Sequence, residues 1–478
     1  MEYEVVMGLE VHVELATKTK IFCSCSTEFG GEANSHICPG CSGMPGALPV
    51  MNKQVVEYGI AAALVTNSHI NQYCTFDKKS YFYPDLACSY QITQLYHPIC
   101  VNGSVEIETS EGKKSIGLKQ IHMEEDAGKL KHDPFTDNSL VDYNRSSMPL
   151  LEIVSKPDFR SAEEVVAYLE KLRSMLKFIG VSDCKMQEGS MRADINLSVR
   201  PMGSTELGVR AEMKNMNSLK SITRAIEYET ARHIDLIESG NAHKLKQETR
   251  RWDDTAGKTF AMRSKENAQD YRYFPNPDLP PIVISDEWIE RVRQSLPELP
   301  EAKLQRYMAE LGLSEADSRL LTSSKVLCDL LDDAVANGVP AKTAANWITG
   351  DVMNLARNDG KIADDIIISS HKLTQLILLV EKNVINRNTG KKVLAEVYAN
   401  DVDPEQYVKD HGLAMVSDKG AIEEMVKQVL AANQKVVDDY KSGKKQAMGY
   451  LFGQVMKQAK GKADTKLINE ILNALLNA

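Results

Sequence analysis

Nowhere in its 478 residues does the chain gather the ~18 apolar residues that a membrane helix requires. Its opening, Met1-Glu-Tyr-Glu-Val, has neither the basic nor the apolar segment of an export signal. The expectation is an unexported, cytoplasmic protein with no membrane partner. Neither G-x-x-x-x-G-K-[ST] nor G-x-G-x-x-G occurs, so any bound nucleotide is held outside the P-loop and Rossmann schemes. Positive charge is also scarce, with 57 Lys and Arg against 66 Asp and Glu, a formal −9. The surface as a whole does not attract phosphate backbones, and contact with nucleic acid needs a local basic patch.

Against these absences stands ample apolar material. A chain of this length with 43% hydrophobic residues supplies more than one core, since single cores stop growing near ~250–300 residues. Up to about residue 290, strand-like alternation and Gly/Pro-punctuated loops are interrupted by two strong helical patterns. Ser161 with Glu164 reads as a capping box opening the first, Val165, Leu169, Leu172, Leu176 and Ile179 follow at helical spacing, and Gly180 closes it. Ser218 opens the second, which ends at Gly240. Two prolines in Leu296-Pro-Glu-Leu-Pro-Glu301 mark a boundary, after which helical periodicity dominates. A further break lies at Asn400-Asp-Val-Asp-Pro404, and the last helices are separated by Ser442-Gly443 and Lys460-Gly461-Lys462. The fold class is α+β: an antiparallel-sheet domain over 1–294, an all-α domain over 295–405 and a small helical tail over 406–478.

Nine cysteines are an odd number, and four of them cluster as Cys23-x-Cys25 and Cys38-x-x-Cys41. In an unexported chain this favours metal or free thiols over disulfides. Two thiolate pairs at short spacing suit a closed tetrahedral zinc site, and Gly40 and Gly43 permit the tight turns of a knuckle. With four protein ligands and no open position, such a zinc is structural. Reduced thiols without metal are the other reading. The isolated Cys74, Cys88, Cys100, Cys184 and Cys328 read as small buried hydrophobes.

Strict alternation in Leu9-Glu10-Val11-His12-Val13-Glu14-Leu15 puts Glu10, His12 and Glu14 on one face of a strand. The same holds for Arg192, Asp194, Asn196, Ser198 and Arg200, and again for Arg210, Glu212 and Lys214; the Pro201, Gly203 and Gly208 connection predicts that these two strands pair antiparallel. Any solvated sheet face alternates in this way. The residue types point further, because Glu10, His12, Asp194, Asn196 and Glu212 are hard oxygen ligands plus an imidazole, suited to Mg²⁺ and the phosphates it carries. Met123-Glu124-Glu125-Asp126 sets three carboxylates in a row, which repel unless neutralised; read alone it is a solvated acidic loop. Lys78 and Lys79, among Tyr81, Phe82 and Tyr83, can meet a phosphate or simply form a surface loop.

Together, Gly8-Leu-Glu-Val-His-Val-Glu-Leu15, Lys79-Ser-Tyr-Phe-Tyr-Pro-Asp85, His122-Met-Glu-Glu-Asp-Ala-Gly128, Lys214-Asn-Met-Asn-Ser218 and Asp270-Tyr-Arg-Tyr-Phe-Pro275 resemble the B-subunit family of aspartyl/glutamyl-tRNA amidotransferases. The likeness continues through Asn346-Trp-Ile-Thr-Gly350 to a tail with Gly449-Tyr-Leu-Phe-Gly-Gln-Val-Met-Lys457. It implies a cradle-shaped catalytic domain, a helical domain and a tRNA-contacting tail. It also implies ATP-dependent phosphorylation of the side-chain carboxylate of glutamate on tRNA(Gln) or aspartate on tRNA(Asn), followed by displacement of phosphate by ammonia.

Carried over, Glu10, His12 and Glu125 bind Mg²⁺, with Asp194 and Glu212 in the same cleft. Lys79, Glu125 and Asn196 lie on the nucleotide side, Lys79 facing phosphate or ammonia. No glutamine-hydrolysing signature occurs here, so the resemblance implies an amidase partner and a small third subunit. In the tail, Lys441, Lys444, Lys445, Lys457, Lys460, Lys462 and Lys466 oppose a single acid, Asp464, which makes a phosphate-seeking patch. Two rival readings remain open at this stage: a tRNA-docking scaffold with a merely solvated acidic face, and a metal-dependent hydrolase.

Overall fold

The computed structural model describes residues 2–133, 135–262, 271–415, 419–442, 444, 446–459 and 465–476. Asp270, Gly443, Lys445, Lys460, Gly461, Lys462 and Asp464, singled out above, lie outside the described residues. The chain forms two compact units, Met1–Leu299 and Pro300–Ala478.

The first unit is built on a ten-stranded sheet. Its strands are β1 (Tyr3–Glu14), β2 (His69–Ile70), β3 (Cys100–Val101), β4 (Ser104–Thr109), β5 (Gly112–Glu125), β6 (Pro149–Ser155), β7 (Met191–Pro201), β8 (Ala211–Lys214), β9 (Glu248–Asp253) and β10 (Lys258–Ala261). Across the sheet the order is β10-β9-β8-β7-β1-β6-β5-β3-β2, with β4 paired to β5. As expected, β7 and β8 pair antiparallel, with Asn196 opposite Glu212. The β8–β9 pair is parallel, a departure from the antiparallel expectation. Helix α3 (Leu219–Glu238) lies between these strands in sequence and supplies the long crossover that parallel pairing needs.

The predicted alternation is realised in β1, where Met7, Leu9, Val11 and Val13 are buried and Glu10, His12 and Glu14 are half-buried on the other side. The apolar face shares one core with α1 (Lys53–Val65), α2 (Ala162–Phe178) and α3, through Val55, Ile60, Leu169, Leu172, Ile222 and Ile226 among others. Three helices on one face leave the opposite face free for polar groups. Of these helices, α1 went unread in the sequence. The Ser161 hydroxyl accepts from Glu164 N at 3.2 Å, as a cap should. The Glu164 carboxylate, however, accepts from Arg160 N at 2.7 Å and pairs with Lys114, so the box is only half reciprocal.

The regular elements among the described residues of the second unit are all helices, from Pro300–Ala309 to Thr465–Leu476. Trp347–Val352 forms a π-helical turn within it. Ile422, Val426, Leu451, Val455, Ile468 and Leu472 form a separate core near its end. No helix among the described residues is long and apolar enough to cross a membrane.

Candidate functional site

Directly opposed residues of neighbouring strands project to the same side of a sheet. The register sets Glu10 opposite Asp194, and His12 opposite Arg192 on one side and Glu152 on the other. Glu152 in turn faces His122 on β5. The free face of the sheet therefore carries a polar row across four strands, from Arg192 on β7 through His12 and Glu152 to His122 on β5, and β8 adds Glu212 beside it, opposite Asn196.

Two clusters stand out in this row. In the first, His12 Nε2 lies 3.5 Å from Glu124 Oε1 and 3.4 Å from Glu152 Oε2. His122 Nε2 is 3.0 Å from the same Glu152 oxygen. Burial alone would lower both imidazoles, but the Glu152 and Glu124 carboxylates outweigh it and push His12 up to about 9 and His122 up to about 10. Burial opposes the Glu152 charge too, yet the two imidazoles hold it well below the usual carboxylate range.

In the second cluster, ligand oxygens of Glu10, Asp194 and Glu212 lie within 4.8 Å of one another. Lys214 Nζ reaches Asp194 at 2.7 Å and Glu212 at 3.4 Å. Asn196 Nδ2 donates to Glu10 at 3.0 Å, and Thr249 Oγ1 donates to Glu212 at 2.8 Å. Asn196 Oδ1 is buried without a hydrogen-bond partner. A buried acceptor left orphaned beside three carboxylates fits a hard cation, which wants oxygen ligands. Since Glu10 and His12 are two residues apart on one strand, the clusters adjoin at about 7 Å.

Glu125 is not among these groups, a correction to the expectation that it joins Glu10 and His12. Successive strand residues alternate faces, so Glu124 takes the cleft side and Glu125 the opposite one. The Glu125 carboxylate accepts from Ile92 N at 2.9 Å and from Ser147 Oγ at 2.6 Å. Burial pushes it up to about 7. Asp126 is held by Arg192 at 2.7 Å and Arg145 at 3.1 Å, so the acidic run is neutralised piece by piece rather than exposed as a loop. Sequence reasoning also missed Glu152 and His122. A lone acid inside Leu150-Leu-Glu-Ile-Val154, and the period of two in His122-x-Glu124, are the signals that pick them out.

Lys79 lies outside both clusters. Its Nζ sits 4.8 Å from the ring centre of Tyr271 and 5.5 Å from that of Tyr81. Tyr273 is 6.0 Å from Tyr271, and its hydroxyl is raised by burial and then by the Glu124 and Glu152 charges, which places the aromatic group beside the first cluster.

Cys23, Cys25, Cys38 and Cys41 do come together, their sulfurs all within 4.8 Å of one another. Cys41 Sγ is 3.8 Å from Cys38 Sγ and 3.9 Å from Cys25 Sγ. A tetrahedron of ~2.3 Å metal–sulfur bonds has edges of about 3.8 Å, far from a ~2.05 Å disulfide. The four thiols fit a metal.

The sheet and its polar face fall within a recognised class: the chain belongs to the GatB/GatE family, whose catalytic-domain profile matches residues 5–290 and whose GatB domain matches 329–476. The particular relatives are aspartyl/glutamyl-tRNA(Asn/Gln) amidotransferase B subunits. That of Lachnoclostridium phytofermentans is 54% identical over 475 residues, covering 99% of each chain. Those of Caldicellulosiruptor saccharolyticus and Thermoanaerobacter pseudethanolicus are 54% and 50% identical, over 99% and 100% of this chain and 98% and 100% of theirs.

Proposed function

We propose that this chain is the carboxylate-activating subunit of a tRNA-dependent amidotransferase, a glutamine-dependent carbon–nitrogen ligase of the cytoplasm. A side-chain carboxylate oxygen of glutamate on tRNA(Gln), or of aspartate on tRNA(Asn), attacks the γ-phosphorus of ATP and ADP leaves. Ammonia then attacks the acyl carbon, phosphate leaves, and a proton is lost to give the amide. Activation is needed because an ionised carboxylate has no adequate leaving group. The reading rests on one observation: two adjoining clusters with hard-ligand chemistry on a single sheet face, one of them with an orphaned acceptor.

His12, Glu124 and Glu152 would hold one Mg²⁺, whose binding would displace the proton from the His12 imidazole, and Glu10, Asp194, Glu212 and Asn196 would hold a second. A divalent cation here would neutralise phosphate charge, which is most of what phosphoryl transfer asks of a protein. Lys214 restrains the second cluster's carboxylates until phosphate arrives. Lys79, above the tyrosine rings, offers an ammonium to phosphate or a donor toward ammonia. A closed four-thiol centre suits structural Zn²⁺ within a catalytic domain over 1–294; 295–405 is a helical domain and 406–478 a tRNA-binding tail. The relatives are named as one subunit of an amidotransferase, which supports partners in the same assembly: an amidase that hydrolyses glutamine and a small third subunit.

The test reconstitutes the assembly with each mischarged tRNA, ATP and either glutamine or ammonia. His12→Ala and Glu124→Gln are expected to cut tRNA-dependent ATP cleavage by roughly 10²-fold or more while tRNA affinity stays put. Glu125→Gln should leave Mg²⁺ binding at the face unchanged, whatever it does to turnover. Full ATP cleavage in both His12→Ala and Glu124→Gln would remove the site. Metal-dependent release of a hydrolysis product in the absence of ATP, with no amide formed, would favour a hydrolase.

A further inference from the structure

Lys20 is fully buried, at 0% exposure. A buried ammonium is costly unless an anion meets it. No carboxylate pairs with it among the described residues. Its Nζ instead lies 3.7 Å from Cys41 Sγ and 3.1 Å from the Tyr143 carbonyl oxygen. The local backbone holds it there, because Lys20 N donates to Cys25 O at 3.0 Å and Thr19 bridges Ser26. The loop that presents Cys23 and Cys25 thus closes on Lys20 itself. The Cys38 amide also donates to Cys41 Sγ, at 3.2 Å, and Ser146 Oγ donates to Cys41 O at 3.1 Å.

Four thiolates around a divalent ion leave a formal charge of −2, which a partly buried site must offset. We infer that Lys20 is the built-in counter-ion of the four-cysteine centre: its ammonium halves that charge, and with the Cys38 amide it withdraws electron density from Cys41 and so sets how tightly metal is held. This rests on the reading of the four thiols as a metal site, and it adds a positioning residue outside the ligand set. Groups that hydrogen-bond to metal ligands commonly change metal affinity by 10–100-fold when removed.

The experiment uses the full chain. Elemental analysis of the unmutated protein comes first, and absence of metal there overturns the metal reading itself. With metal present, zinc affinity is measured by competition with a chromophoric chelator for Lys20→Met, Lys20→Gln and Lys20→Arg, and the sulfur-to-cobalt charge-transfer band is recorded in the Co²⁺-substituted forms. Lys20→Met and Lys20→Gln should weaken metal binding by roughly 10–100-fold and shift the band, with four-thiolate coordination kept. Lys20→Arg, which keeps the charge, should stay within about threefold of the unmutated protein on that scale. Unchanged affinity and band in Lys20→Met, in protein that holds one metal per chain, overturns the assignment and leaves the zinc reading intact. If neither neutral variant folds, Lys20→Arg decides: retained affinity supports the counter-ion and a loss of tenfold or more overturns it.

Discussion

Glu229 lies on α3 with its side chain fully buried, between Arg232, Arg250 and His233, with Thr259 donating to it at 2.7 Å. Burial opposes its charge, but His233, whose Nε2 lies 3.2 Å away, and the hydrogen bonds from Arg232 and Thr259 prevail and hold it at about 2. Its ordinary value is near 4.5, so the folded state favours the ionised form. The stabilisation is complete above the unfolded value and fades as pH falls from about 4.5 to about 2. Glu229→Gln should lower stability by roughly 3 kcal/mol at pH 7, a gap that begins to narrow near pH 4.5 and closes near pH 2; urea titrations of both proteins across that range measure it. At this same scale the sequence was least decisive. The run Glu124-Glu125-Asp126 shows three acids, but which one faces the cleft depends on strand phase, and a slip of one residue exchanges them.

Among the elements, α2 and α3 were legible because their caps and apolar stripes coincide. Ser161 and Ser218 both cap as expected, and Gly180 takes a positive φ of 73° just past the end of α2. Ser161→Ala should cost about 1 kcal/mol and lower the unfolding midpoint seen by calorimetry, since Glu164 N then loses its acceptor. The effect stays modest because Glu164 keeps its bond from Arg160 N. Helix α1 escaped notice for a physical reason. Ile60, Ala61, Ala62 and Ala63 are buried at consecutive positions, all round the helix, so no polar face betrays the helical period. The parallel β8–β9 pair was hidden too, because pairing direction is set by the crossover helix and not by either strand's own residues.

At the scale of the whole molecule, the proposed function requires a chain of net −9 to concentrate its positive charge where tRNA would dock. Lys441, Lys444, Lys457 and Lys466 are exposed in the described part of the tail. Lys444 is already paired with Asp439 at 2.8 Å, which reduces its share. The tail has its own apolar core, so its loss need not unravel the rest of the second unit. Removal of 419–478, which spares the helix Pro404–Asp410 and its buried Val408, should weaken tRNA binding and flatten its dependence on salt, by about one unit of log–log slope for each phosphate that lysine no longer neutralises. Filter-binding titrations at several salt concentrations measure this, and an unchanged slope would assign tRNA binding elsewhere.

The α+β class, the two covered faces of β1 and β7, and the four-cysteine centre were determined by local pattern: periodicity decides which side of an element is apolar, and short cysteine spacing needs little folding to close. Tertiary structure alone brought Glu152 and His122 to His12, sent Glu125 away from it, and seated Lys20 against Cys41. Those outcomes depend on register between strands more than a hundred residues apart, on strand phase, and on burial, none of which a single stretch of sequence encodes.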